Sequence, residues 1–161
     1  MKFSVSVFLL VFVIYILFSG SISLYDLITG LMVSIISSIL TGKYLVKNEA
    51  KTLNPRRWLM AIIFFLKYMT IIEAKAHWDV VKILFKGNYK PGIVRIPIGV
   101  RTNYAKLLVS SSITNTPGTV VVDISDKYLY VNWINVVTEE PEEARKHISL
   151  EFEKYAEKIF D

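Results

Sequence analysis

The stretch LLVSSSITNTPGTVVVDIS, residues 107–125, decides how this chain folds. Hydroxyl side chains recur among apolar residues through its first half, and a Pro-Gly step at Pro117 and Gly118 then interrupts the pattern. Three valines follow from Val120, and β-branched side chains of this kind are stiff at χ1 and favour a strand. The stretch therefore predicts a helix that ends at a turn and is followed directly by a buried strand.

Charge is distributed unevenly on the two sides of this stretch. The chain has 161 residues, of which 53% are hydrophobic, and its mean hydropathy is +0.43. From residue 1 to residue 42 only Lys2 and Asp26 are charged, whereas the last third of the chain is strongly charged. This asymmetry predicts an N-terminal part that is embedded in a membrane and a C-terminal part that is solvated.

The residue types present exclude or disfavour several classes of site. The chain has no cysteine, which excludes disulfides, thiolate metal sites and cysteine nucleophiles. Its two histidines, His77 and His147, lie far apart in different kinds of segment, so we expect no histidine metal site. The net charge of +5 arises mostly from basic residues that flank apolar segments, which indicates membrane topology and no nucleic-acid partner.

Two apolar segments occupy the N-terminal part of the chain. Phe3 to Phe18 is uncharged and close to the shortest length that spans a bilayer, roughly 17 residues, although it also resembles a signal peptide. A second segment, Ile22 to Leu40, follows directly after a Ser-Gly-Ser connection, which favours a hairpin over a cleaved leader. We therefore assign residues 1–42 to a transmembrane helical hairpin.

Asp26 lies near the start of the second segment and has two interpretations. An ionisable residue at the centre of the bilayer costs about 2.5–3.5 kcal/mol, which makes Asp26 a candidate ion-path residue. In the first turn of a helix, an acid instead interacts favourably with the helix N-terminus, and we favour this second role.

Basic residues dominate the connection that follows the hairpin, residues 43–57. They are Lys43, Lys47, Lys51, Arg56 and Arg57. The first connection has no lysine or arginine, so the positive-inside rule places the N-terminus and residues 43–57 in the cytoplasm.

Residues 58–86 begin as an apolar run and then become charged. Lys67, Glu73 and His77 share one helix face, which is typical of a third span whose polar stripe contacts a partner protein. The alternative is an amphipathic helix that lies in the membrane interface or is only partly inserted. Both flanks are basic, and a full crossing would carry basic residues outward, so we favour the second arrangement. His77 is then an interface residue, and a role as a pH-dependent switch stays open.

Residues 87–161 have the pattern of a small cytoplasmic α+β module with about three strands and two helices. The alternation from Val94 to Val100 predicts a strand, and Pro97 places it at a sheet edge. Thr102 or Asn103 is expected to cap a helix that reaches about Ile113.

The second half of this module contains a predicted hairpin and a final helix. Thr119 to Ile124 and Tyr128 to Val136 are expected to pair through a turn at residues 125–127. The last helix starts within residues 138–141 and carries an apolar stripe that faces the sheet. Its residues are Ala144, Ile148, Phe152, Tyr155 and Ile159.

No familiar catalytic arrangement is present in the sequence. It has no phosphate-binding glycine loop, no supported Ser-His-Asp arrangement and no metal-ligand spacing. The acids Asp123 and Asp126 lie at a hairpin end, where aspartate commonly forms turns. We therefore predict a protein without catalytic residues, cofactor or metal, which acts through partners.

The chain resembles the family of E-type subunits of Mrp-type sodium/proton antiporters, also called the Mnh family. The features that carry the resemblance are Thr116-Pro117-Gly118, the valine-rich strand that ends at Asp123, and the return strand YLYV at 128–131. It extends over nearly the whole chain, including WDVVK at 78–82 and KPGI at 90–93. The family often has a histidine near the position where this chain has Asn132, so no histidine role is expected there.

The resemblance implies an accessory subunit of a multi-subunit membrane assembly. Family members sit beside the small hydrophobic F- and G-type subunits and support sodium/proton exchange without being the proton-pumping subunits. Related subunits occur in archaeal membrane-bound hydrogenase and sulfur-reducing complexes, and the sequence does not decide between these hosts. The expected location is the plasma membrane, multi-pass, with membrane lipid as a further partner. The alternative function is a stand-alone membrane-anchored binding module.

The candidate ion-path or partner contacts are polar residues of the helical segments and the residues of the helix-to-strand turn. They are Asp26, Glu73, His77, Thr114, Thr116, Pro117 and Gly118. We favour the interpretation that the hydroxyls contact the backbone of a partner and not an ion.

Overall fold

Two N-terminal helices pack against each other in antiparallel fashion. The computed structural model describes residues 3–87 and 89–161, so Met1, Lys2 and Asn88 lie outside the described residues. The chain divides into two units, Met1–Pro55 and Arg56–Asp161. In the first unit, α1 (Val5–Ser19) and α2 (Leu24–Leu45) are followed by the short helix α3 (Glu49–Thr52).

Small side chains allow α1 and α2 to approach closely. Gly30, Ser34, Ser38 and Gly42 recur at every fourth residue and form the buried stripe of α2. The Ser38 hydroxyl donates to the Ser4 carbonyl at 2.7 Å and accepts from the Ser4 amide at 2.9 Å. A Cβ atom on Gly30 would lie 2.8 Å from the Tyr15 ring. Such small-residue stripes are typical of helix pairs in membranes.

The outward surfaces of both helices are apolar. Large hydrophobic side chains are exposed along them, among them Leu9, Leu10, Val13, Ile14, Ile28, Met32, Ile35 and Ile36. By length and composition, Leu24–Leu45 is able to cross a membrane, whereas Val5–Ser19 is apolar but shorter. Twenty-two residues of helix extend about 33 Å, close to the 30 Å of a bilayer core.

Glu49 joins the basic connection to the start of α1. Its carboxylate accepts from the Ser6 amide at 3.3 Å and also from the Ser6 hydroxyl. A carboxylate at this position satisfies an otherwise unpaired amide and interacts favourably with the helix dipole. The contact places the N-terminus of α1 and the connection at the same end of the helix pair.

The second unit begins with a long helix, residues 55–86, which contains a π-helical segment. It consists of α4 (Pro55–Lys67), the π segment (Tyr68–Ile72) and α5 (Glu73–Lys86). The elements that follow are β1 (Gly92–Pro97), α6 (Asn103–Asn115), β2 (Thr119–Ile124), β3 (Tyr128–Trp133), α7 (Pro141–Ile148) and α8 (Leu150–Phe160).

The three strands form an antiparallel sheet in the order β1-β3-β2. Val131 in the central strand lies opposite Val94 on one side and Val121 on the other. A bulge between Val121 and Asp123 shifts the register of β2. The structure confirms the mixed α and β character and the three strands. It also confirms the edge position of the strand that contains Pro97 and the β2–β3 hairpin.

Three helices, not the two expected, are present in residues 89–161, because the last helix is broken at Ser149. The apolar stripe continues across the break, so periodicity alone could not reveal it. Ser149 lies at φ −118° and ψ −23°, and its hydroxyl donates to the Glu153 carboxylate at 2.6 Å. Thr102 caps α6 as expected, since its hydroxyl accepts from the Ala105 amide at 3.2 Å.

One hydrophobic core joins the sheet to its helices. Its buried residues come from β1, β3, α6, α7, α8 and the long helix, and include Val94, Ile96, Leu129, Val131, Val109, Ile113, Ala144, Ile148, Phe152, Ile159 and Phe64. The Phe64 ring lies 5.3 Å from the Tyr155 ring and 6.4 Å from the Phe152 ring, centroid to centroid. The long helix is therefore packed onto the module through one of its faces.

A buried ion pair fixes the bend between α7 and α8. The Glu153 carboxylate is almost fully buried and accepts from the Arg145 guanidinium at 2.6 Å. It also accepts from the Gly99 amide at 3.0 Å, which fastens the loop after β1. Hydrogen bonds to Glu153 raise the pKa of Arg145 above its ordinary value, so the guanidinium stays charged.

We expect Arg145→Ala to lower the free energy of unfolding by about 2–3 kcal/mol, because Glu153 would stay buried without its charged partner. The value is at the low end for a broken buried pair, since the guanidinium is partly exposed. Lys146→Ala removes only an exposed pair with Glu143 on the same helix and should leave the unfolding midpoint unchanged. Urea unfolding of the detergent-solubilised chain, followed by near-ultraviolet circular dichroism, measures both; equal midpoints for the two variants would contradict the expectation.

Candidate functional site

Hydroxyl groups close the C-terminal end of α6. The last carbonyls of a helix have no partner within the helix and must be satisfied by other donors. The Thr116 hydroxyl donates to the Ser112 carbonyl at 2.7 Å, and the Thr119 hydroxyl donates to the Ile113 carbonyl at 2.8 Å. The hydroxyl-rich sequence thus serves as a C-terminal cap. We call residues 112–119 the junction.

A tight turn links this cap to β2. The Thr119 amide donates to the Thr116 carbonyl at 3.3 Å, with Pro117 and Gly118 between them. Gly118 has φ +95°, and a Cβ at this position would lie 3.1 Å from Ile134 and 3.3 Å from Val80. Proline followed by a residue at positive φ is the pattern of a type II turn. Glycine is therefore required here both by the backbone and by its neighbours.

Tyr68 connects the long helix to the junction. Its hydroxyl donates to the Ser112 carbonyl at 3.3 Å and lies 3.3 Å from the Thr116 hydroxyl. Tyr68 is the first residue of the π segment, and such segments are frequent at functional sites. Val80, further along the same helix, contacts the turn at Gly118. The long helix thus touches the junction at two points.

Glu73 and His77 lie one turn apart at the start of α5. The His77 Nδ1 atom is 2.8 Å from the Glu73 carbonyl and 3.5 Å from its carboxylate. The other carboxylate oxygen, Oε1, is buried and has no hydrogen-bond partner among the described residues. His77 itself is exposed. Glu73 therefore offers a buried acceptor at the edge of the junction.

Thr114 faces a different surface from Tyr68. Its hydroxyl accepts from the Val121 amide at 3.2 Å, which pairs an outward amide of the edge strand β2. The space beside it is an open groove of about 550 Å³ between α6 and β2. Ser110, Ser111, Thr114, Asn115, Val121, Val122, Asp123 and Ile124 line this groove.

Asp26 belongs to the first unit and lies in the first turn of α2, whose N-cap is Ser23. The Ser23 hydroxyl donates to the Asp26 carboxylate at 2.5 Å and accepts from the Asp26 amide at 3.2 Å. The Ser23 hydroxyl thus satisfies an amide at the helix start and also holds the Asp26 carboxylate there. This position agrees with the predicted role of Asp26 at the start of a helix. An ion-path role for Asp26 stays a prediction.

The structure brings some of the predicted residues together and separates others. Glu73, His77, Thr116, Pro117 and Gly118 lie around one contact between the long helix and the junction. Tyr68 was not predicted, because its role depends on the π segment, and no sequence period signals that segment. Within residues 3–87 and 89–161, no three His, Asp or Glu side chains are placed to hold a metal ion.

The fold is that of a mixed α and β protein with a three-stranded antiparallel sheet and a helix, α2, that is long and apolar enough to cross a membrane. Residues 8–159 match a family described as Na+/H+ ion antiporter subunit, and the chain belongs to this family.

Two curated antiporter subunits and one solved structure are similar to this chain over most of their length. The chain is 31% identical over 144 residues to the E-type subunit of the Na(+)/H(+) antiporter of Alkalihalophilus pseudofirmus, covering 87% of this chain and 88% of the relative. It is 35% identical to the E1-type antiporter subunit of Staphylococcus haemolyticus, covering 84% of each. A chain in the structure of the membrane-bound sulfane sulfur reductase, an archaeal respiratory membrane complex, superposes with a TM-score of 0.84 at 28% identity over 96% of both chains.

We expect Pro117→Gly to lower the free energy of unfolding by about 0.4–1 kcal/mol, because proline restricts the unfolded chain and presets φ in the turn. Asp126→Ala is the matched control, since Asp126 is exposed in the neighbouring hairpin turn. The yield of assembled complex should follow the same order. Thermal unfolding and the amount of chain recovered in the complex measure the two effects; identical values for both variants would count against the role of the turn.

Proposed function

We propose that this chain is a non-catalytic accessory subunit of a multi-subunit sodium/proton antiporter module. In this role it supports assembly and sodium translocation without carrying out the exchange itself. The similarity to E-type antiporter subunits over most of both chains is the observation that carries the proposal. The large apolar side chains that are exposed in both units support it independently.

In this proposal residues 1–42 form the transmembrane hairpin. The small-residue stripe of α2 fits a helix pair that packs in lipid, where close backbone approach replaces the hydrophobic effect. The exposed apolar side chains of α1 and α2 are then covered by lipid and by neighbouring subunits. The basic residues 43–57 remain in the cytoplasm, at the end where Glu49 meets the start of α1.

The long helix then lies in the membrane interface, and the module of residues 87–161 is cytoplasmic. Phe64 and Tyr68 pack on the module, whereas the opposite face of the helix leaves large apolar side chains exposed. Those of its N-terminal half are Leu59, Ile62, Phe65, Leu66 and Met69. A helix with the module on one face and apolar residues on the other fits an interfacial position better than a crossing.

The junction is proposed to contact partner subunits, with the small F- and G-type subunits as the candidates that the family resemblance implies. Tyr68 supports this role, since its hydroxyl reaches the carbonyl of Ser112 and the hydroxyl of Thr116 at the junction and holds the long helix there. Two hosts fit the relatives: an Na+/H+ antiporter, as for the curated subunits, and a respiratory membrane complex, as for the archaeal structure.

Affinity purification of the tagged chain from its native membrane tests this function. We expect other antiporter-type subunits to co-purify and sodium-dependent transport to fall when the gene is deleted, with wild-type chain restoring it. Tyr68→Phe is a useful companion, because it removes only the hydroxyl that reaches the junction. A chain that is monodisperse without partners, together with unchanged transport after deletion, would refute the proposal and favour a stand-alone binding module.

A further inference from the structure

A groove rich in lysine lies between the long helix and the α7–α8 pair. It has a volume of about 330 Å³, and its charged and aromatic lining consists of Lys67, Lys146, Lys154, Lys158, Glu151 and Tyr155. Three separate helices contribute to it, so the lysines converge because of the tertiary fold and not because of one charged stretch of sequence.

The groove is not neutralised by the residues around it. Lys67 pairs with Glu151 at 2.6 Å, and Lys146 pairs with Glu143 at 2.5 Å. Lys154 and Lys158 form no ion pair within the described residues, and both are exposed one turn apart on α8. Their two ammonium groups are therefore available for a bound anion.

Tyr155 gives the groove an ordered wall. Its ring is half-buried, packs 5.3 Å from the Phe64 ring, and lies 5.5 Å from the Lys67 ammonium, a cation–π distance. Tyr155 packs against the hydrophobic core that includes Phe64, and Lys67 is held by its ion pair with Glu151. This side of the groove is therefore fixed by the packing of the long helix on α8.

The groove lies beside the apolar outer face of the long helix. Lys67 lies between Phe64, which is buried in the core, and the exposed Leu66 on the outer face. A cationic side chain at the edge of an apolar face, on a helix in the interface, lies at the level of the lipid headgroups.

We propose that this groove binds the phosphate group of an anionic membrane lipid, with Lys154 and Lys158 as the principal contacts and Lys67 and Tyr155 as the ordered wall. This inference rests on the proposed interfacial position of the long helix. Ammonium groups bind phosphate oxygens through charge-assisted hydrogen bonds. The lipid tails would continue along the exposed apolar side chains of α4.

Native mass spectrometry of the full-length chain in a neutral detergent, titrated with phosphatidylglycerol or phosphatidylcholine, tests the site. We expect preferential retention of phosphatidylglycerol. The variant Lys154→Gln/Lys158→Gln should weaken this binding by about 25-fold, since each basic residue near an anionic lipid contributes a factor of roughly five. Lys106→Gln/Lys127→Gln removes the same charge elsewhere on the module and should change binding by less than about twofold.

Further variants and ligands distinguish an anionic lipid from the other possible occupants of the groove. Lys154→Arg/Lys158→Arg should keep the preference for phosphatidylglycerol, because the variant keeps both positive charges. Circular dichroism checks that each variant is folded. Inorganic phosphate that displaces phosphatidylglycerol at equal concentration would overturn the lipid assignment in favour of a free-phosphate site. Equal lipid retention by the glutamine variant would also overturn it, and loss of co-purifying subunits alone would identify an acidic protein surface as the occupant. These outcomes leave the accessory-subunit function untouched, since that function is decided by co-purification of the wild-type chain.

Discussion

The long helix has apolar side chains on two opposite faces, and the need to cover both of them governs the second unit. One face is covered within the chain, where Phe64 packs against Phe152 and Tyr155 and Tyr68 reaches the end of α6. The other face, which carries Leu59, Ile62, Leu66 and Met69, is left exposed by the described residues of this unit. Exposed apolar patches of this extent mark surfaces that interact with membranes or proteins, and the proposed function assigns this face to the membrane interface.

The hydroxyl-rich sequence acquires a concrete role in this arrangement. Thr116 and Thr119 satisfy the last carbonyls of α6, Thr114 pairs an amide of the edge strand, and the Pro-Gly turn redirects the chain. Each of these hydrogen bonds is local, and together they fix the conformation of the junction. Tyr68 and Val80 of the long helix pack against this junction. The inner face of the long helix is thereby joined to the module by short polar contacts as well as by the core.

Much of this fold follows from the sequence because its signals are local. The alternation from Val94 to Val100 predicts β1, and the valine run after the Pro-Gly step predicts β2 and its pairing with β3. Thr102 predicts the start of α6. The break at Ser149 and the buried Arg145–Glu153 pair were missed, since both depend on contacts that no sequence period signals. Glu73, His77 and the Pro-Gly turn could each be predicted from the sequence as candidate site residues. The contact of Tyr68 with the end of α6 could not, because it also depends on the tertiary fold. The stripe of Gly30, Ser34, Ser38 and Gly42 carried a four-residue period and was the one missed signal that the sequence did contain.

The position of the long helix in the membrane tests the account most directly. The chain has no cysteine, so single cysteines at Leu59, Ile62, Leu66 and Met69 can each carry one spin label. In bilayers, accessibility to oxygen and to a water-soluble nickel complex reports the depth of each label. An interfacial helix predicts four nearly equal depths just below the headgroups. A crossing helix would instead give depths that change steadily by about 15 Å from Leu59 to Met69, and that gradient would contradict the account.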